Sequence, residues 1–136
     1  MPTSSRAMSP RERQNRDLLR ARDLMDREFA RPLDVPTLAG AAHVSPAHFA
    51  RIFKQTFGET PHRYLQRRRI ERAMAMLRDT DTSVTEIAWA VGFGSLGTFS
   101  RTFRAVVGTS PRAYRQRAVA VPAAVCFTKA WTRPAG

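Results

Sequence analysis

Apolar residues along this chain recur at intervals of three and four. Leu18, Ala21, Met25 and Phe29 follow that spacing, with charged residues between them. The pattern predicts an amphipathic helix over residues 11–29, ended by Arg31-Pro32. Leu38, Ala39 and Ala42 predict a second, short helix that Asp34 can cap. After a turn at His43-Val44, Ser45-Pro46 opens a third. The serine caps it, and the proline takes the first position, where its missing N–H costs nothing. Its inward stripe is Phe49, Ile52 and Phe53, and Gly58 is placed to stop it in a left-handed cap. Thr60-Pro61 repeats the start signal. The fourth helix runs to about Asp79 and buries Tyr64, Leu65, Ile70, Ala73 and Leu77.

The plan then repeats. Ser83-Val84-Thr85-Glu86 reads as a capping box. Ile87, Ala88 and Val91 stand 49 positions after Leu38, Ala39 and Ala42. Gly92-Phe93-Gly94 makes the turn, and Ser95 caps a helix that buries Phe99, Thr102 and Phe103. Gly108 ends it, and Ser110-Pro111 begins a last helix through about Ala118. The offset grows to 50 inside the turn, so the second turn carries one extra residue. No stretch alternates with the period of a strand. The expected fold class is all-α: seven helices forming two helix-turn-helix subdomains joined by a linker helix. Their expected bounds are 34–58, 61–79 for the linker, 83–108, and 111–118 for the closing helix. Residues 1–10, rich in Ser, Pro and charge, are expected to be a disordered arm, and 119–136 a separate tail.

The repetition is sharpest in FARIFKQTFGETPHRY, Phe49 to Tyr64, and FSRTFRAVVGTSPRAY, Phe99 to Tyr114, which agree at six positions. A repeat fixes architecture before any single residue is weighed. Each unit is a short helix, a tight turn and a second helix with its own cap, the plan in which the second helix enters a major groove. With the phenylalanines inward, Arg51 and Arg101 project outward near the helix N-termini, where base edges are met. Lys54 and Arg104 lie one turn on, placed for phosphate. The linker helix spans roughly 28 Å at ~1.5 Å per residue, against about 34 Å between successive major-groove faces. The expectation is a monomer that reads two faces of an asymmetric double-stranded DNA site.

Charge agrees. The net charge is +12, and the basic residues are grouped. Arg51 to Arg72 holds seven against two acids, and Arg101 to Arg117 holds five against none. Such groups are a nucleic-acid footprint, and Arg67 and Arg68 join the expected phosphate contacts. Arginine outnumbers lysine 21 to 2. Its planar fork suits phosphates and guanine edges, although a GC-rich genome also favours arginine codons.

Other chemistry is not signalled. His43, His48 and His62 share no helical face and lack a cysteine or carboxylate cluster, so no metal or cofactor is expected. Cys126 is the only cysteine. It stands without an activating neighbour and reads as a passive thiol. No membrane span is expected, since no run reaches ~18 apolar residues, and the first residues are not a secretory signal. A cytoplasmic, nucleoid-associated protein is expected.

The order Ile87-Ala88-x-x-Val91-Gly92-Phe93, Phe99-Ser100-Arg101-x-Phe103-Arg104, Gly108-x-Ser110-Pro111-x-x-Tyr114-Arg115 resembles the DNA-binding domain of the AraC/XylS family of bacterial transcription regulators. The resemblance covers about residues 13–117. It implies base contacts from the outward positions of the third and sixth helices: Ala47, Ala50 and Arg51, then Leu96, Gly97, Ser100 and Arg101, with Thr98 assisting. It also implies a stand-alone member with no small-molecule effector domain, governed by abundance or by partners. Ala47, Ala50, Leu96 and Gly97 depart from the polar residues often found there, so direct polar readout rests mainly on the two arginines. Two alternatives stand beside this one. The first is an architectural DNA-coating protein of the same fold. The second is a DNA-repair methyl acceptor, an enzyme that needs Cys126 to be reactive and is not expected. Trp89 is expected to pack, partly exposed, at an edge, the alternative being a docking point for a partner such as RNA polymerase or for the chain's own tail. The tail from Val121, with Phe127 and Trp131, is expected to fold back or bind a partner.

Overall fold

The computed structural model describes residues 7–120. Among these residues there are seven helices and no strand: α1 (Pro10–Arg27), α2 (Val35–Ala41), α3 (Pro46–Phe57), α4 (Pro61–Asp79), α5 (Val84–Ala90), α6 (Leu96–Val107) and α7 (Pro111–Ala120). None of them is long and apolar enough to cross a membrane. The chain divides into two compact units at Leu65–Gln66.

Caps set the helix starts. Ser45, Ser95 and Ser110 accept from the N–H of His48, Thr98 and Ala113, and Thr60 accepts from Arg63. Each satisfies one of the orphan donors of a first turn. Gly58 and Gly108 end α3 and α6 at φ 80° and 92°, a left-handed conformation that costs glycine little. Three details differ from expectation. The full capping box lies at Ser9 and Glu12, where hydroxyl and carboxylate each take the other's backbone N–H. Ser9 therefore starts α1 from inside the segment expected to be an arm. At Ser83 only half the box forms, the hydroxyl accepting from the N–H of Glu86. α1 also stops at Arg27. Phe29 lies beyond it in a turn closed by Arg31 N–H on the Glu28 carbonyl, yet still packs on the first core.

In the first unit the core gathers Leu18, Ala21 and Met25 of α1 with Leu38, Ala39, Phe49, Ile52, Phe53, Tyr64 and Leu65. The second unit buries Ile70, Ala73 and Leu77 of α4 with Ile87, Ala88, Val91, Phe93, Phe99, Phe103 and Tyr114. Each fully buried large side chain contributes roughly 1.5–3 kcal/mol. Thr102, expected to be buried, is only half-buried, while Val107 is buried. The repeat is longer than its identities suggest. Leu18, Ala21 and Met25 stand 52 positions before Ile70, Ala73 and Leu77, and both sets are buried. A three-helix unit is therefore written twice, and the start of α4 or α7 closes each copy.

The same ladder of rings stands in both copies. Phe49–Phe53 and Phe53–Tyr64 centroids are 5.5 and 5.7 Å apart. For Phe99–Phe103 and Phe103–Tyr114 the separations are 5.8 and 5.7 Å. These are edge or tilted geometries favoured by the ring quadrupole.

The two turns differ as the count predicts. His43 holds φ 58° in the first, and Gly92 holds φ 99° in the second. Val44 N–H and Phe93 N–H then bond to the carbonyls of Ala39 and Ala88. The extra residue is Gly94, inserted after this shared pattern and before Ser95.

Candidate nucleic-acid interface

α3 and α6 are amphipathic, and burying their phenylalanines forces the opposite stripe outward. On α3, Ala47 and Arg51 are exposed and Ala50 is half-buried. On α6, Leu96, Gly97, Thr98 and Arg101 are exposed and Ser100 is half-buried. Lys54 and Arg104 are exposed, one turn further along. Every expected base-facing residue is thus exposed or half-buried on its helix.

The two arginines are held in related ways. Arg51 Nη2 is 2.7 Å from Nδ1 of His48. Arg101 Nη2 donates over 3.4 Å to Oγ1 of Thr98, and Thr98 also accepts from the Ser95 hydroxyl at 2.9 Å. His48 was not among the expected site residues. The signal that could have found it is its register, since it aligns with Thr98 in the repeat. A Cβ added at Gly97 would stand 3.4 Å from Arg101 Nη1, in contact with the guanidinium.

In the second unit Leu96, Ser100 and Arg104 of α6 line an open cleft of about 630 Å³ together with Ser110 and with Arg112 of α7. Arg112 is exposed. It is a cation of this surface that the charge count registered without singling it out.

The linker arginines are more occupied than their charge implies. Arg67 and Arg68 each place Nη1 2.8 Å from a different oxygen of Glu71. The pair is one turn away on the same helix, where such contacts form readily. Arg69 lies over the Phe93 ring at 5.9 Å and donates to Gln66. Burial pushes its guanidinium below the ordinary range, and it remains a cation. Arg115 donates to the carbonyls of Leu77 and Thr80, satisfying acceptors at the end of α4. Part of the grouped basic charge therefore serves the fold.

Trp89 is 58% exposed on α5, at the edge of the second unit's core residues Ile87, Ala88 and Val91. The tail with Cys126, Phe127 and Trp131 lies outside the described residues, as does the arm before Ala7. Among the described residues no group of three metal-binding side chains is present.

The family described as helix-turn-helix domain matches residues 38–117. The HTH-type transcriptional activator RhaS of Enterobacter sp. is 41% identical over 92 residues, which make up 68% of this chain and 33% of that protein. A crystal structure of an AraC-type DNA-binding-domain regulator from Chromobacterium violaceum superposes with TM-score 0.71 at 33% identity, covering 76% of this chain and 93% of that one. The DNA-binding domain of AdpA, a global transcriptional factor solved in complex with a target DNA, gives TM-score 0.74 at 33% identity over 76% of this chain and 94% of that one. The chain spans about a third of the length of the curated relatives it matches.

Proposed function

The chain belongs to the AraC-type helix-turn-helix family, and from that premise we propose that it is a DNA-binding transcription regulator reading two successive major-groove faces of an asymmetric site as a monomer. The observation that carries this is the pair Arg51 and Arg101, exposed at equivalent places on α3 and α6. Each guanidinium fork suits the O6 and N7 acceptors of guanine. Ala47, Ala50 and Leu96 offer methyl groups to thymine, and Thr98 and Ser100 offer hydroxyls. Lys54 and Arg104 take phosphates, joined by Arg112. Arg67 and Arg68, sharing Glu71, present a single net charge to the backbone. The RhaS relative is named an activator. We assign the same sign here, with RNA polymerase as the protein partner and exposed Trp89 as its contact.

A second function is favoured by the bare positions on the reading faces. With Ala47, Ala50 and Gly97 unable to donate side-chain hydrogen bonds, binding could rest on phosphates and DNA shape, as in an architectural protein. Selection from a random ~24-bp duplex pool, long enough for two faces one turn apart, separates the two. Two information-rich patches one turn apart establish the regulator. Tight, salt-sensitive binding with no enriched motif establishes the architectural protein.

A further inference from the structure

Arg51 is not left to rotate freely on α3. A guanidinium only donates, so the 2.7 Å contact with His48 requires Nδ1 to accept and places the imidazole proton on Nε2. His48 is half-buried and Arg51 exposed. The imidazole is thus seated against the protein while the arginine reaches outward from it. We propose that His48 is a positioning residue for base reading by the first unit, its neutral ring holding the Arg51 guanidinium toward the N-terminal end of α3.

This rests on the DNA-reading function proposed above. The bond to His48 uses one of the five guanidinium N–H groups, which leaves a pair for a bidentate base contact. A long arginine loses much rotamer freedom when it docks. A neighbour that has already restricted it lessens that loss, which is the general basis of preorganisation. Thr98 holds the same register in α6, with a longer contact to Arg101, so the two units orient their arginines by different chemistry. The Ser45 cap bonds the backbone N–H of His48 and survives any change of its side chain, so substitution there leaves the helix start intact.

The test is position-resolved selection with the wild-type chain, Arg51→Ala, His48→Ala and His48→Asn, with affinities measured on the wild-type site. Arg51→Ala identifies the patch read by α3. His48→Ala is expected to flatten that patch and spare the other, and to weaken binding about threefold to tenfold, the range of one hydrogen bond. Asparagine places an amide oxygen near the position of Nδ1 and is expected to restore most of both, with melting temperatures alike throughout. If His48→Ala keeps the patch and the affinity while the wild type shows two patches, the inference is overturned and the proposed function stands. His48→Asn behaving no better than alanine overturns the acceptor role. A wild-type chain that enriches no motif overturns both.

Discussion

Asp26 and Arg78 occupy neighbouring-turn positions at the same place in two copies of one unit, yet hold equivalent tyrosines from opposite ends of a hydrogen bond. The Tyr64 hydroxyl donates to Asp26 at 2.8 Å. The Tyr114 hydroxyl accepts from Arg78 at 3.1 Å. A phenol both donates and accepts, so the ring ladder beneath is unchanged while the partner's charge is inverted. Tyr64→Phe and Tyr114→Phe keep the rings and remove these bonds. Each is expected to cost about 1 kcal/mol, measured by urea denaturation with an unchanged m-value.

The left-handed turn positions give a pair of opposite outcomes. His43 at φ 58° carries a side chain where glycine is favoured. His43→Gly is expected to stabilise the first unit by roughly 0.5 kcal/mol, because relief of ~1 kcal/mol of strain exceeds the added unfolded-state entropy. A Cβ at Gly58 meets nothing within 4 Å, so Gly58→Ala adds no clash, and backbone strain less the lost unfolded-state entropy leaves a cost of about 0.5–1 kcal/mol. Thermal melts of the two variants should move in opposite directions.

On DNA, Arg51→Ala and Arg101→Ala are each expected to cost roughly 1–3 kcal/mol on the selected site and to relax preference at one patch. Arg104→Ala should weaken all sequences alike and lower the salt slope by about 1. Glu71→Gln should raise affinity and steepen that slope, since it removes the negative charge beside Arg67 and Arg68. Fluorescence anisotropy across a salt series reads all four.

Acid should loosen α2 through its cap. Bonds from the Thr37 hydroxyl and N–H hold the Asp34 carboxyl below its ordinary range. A carboxyl with a depressed folded value contributes stability above its unfolded value, about 3.9, and loses it as pH falls through the folded value. Stability is therefore expected to drop faster below pH ~4 in the wild type than in Asp34→Asn, whose amide caps at every pH. Denaturation at a series of acid pH values checks the difference.

Trp89→Ala should leave DNA affinity unchanged and lower transcription activation in a reconstituted assay. Equal activation would remove the indole as the polymerase contact.

What the sequence made legible is what rests on local chemistry. Ser45, Gly58, Thr60, Ser95, Gly108 and Ser110 announce helix ends because caps need those residue types at those places. The phenylalanine ladders are plain because identical rings recur. The kinship of α1 and α4 is not legible in the sequence because Leu18/Ile70 and Met25/Leu77 preserve burial without identity. The parts played by His48 and Arg115 depend on where a long side chain finds an acceptor. Register alone does not state that: Arg115 bonds to the end of α4, 35 and 38 residues away in sequence.

Ala47, Ala50 and Gly97 put no hydrogen-bonding side chain on the outward helix faces. A chromosome offers on the order of 10⁶ competing positions, and each arginine contact discriminates among them by about 1–3 kcal/mol. Under the proposed function, occupancy is spread over a ranked series of near-matches and is not confined to one address. The number of copies in the cell then sets how far down that series the protein reaches.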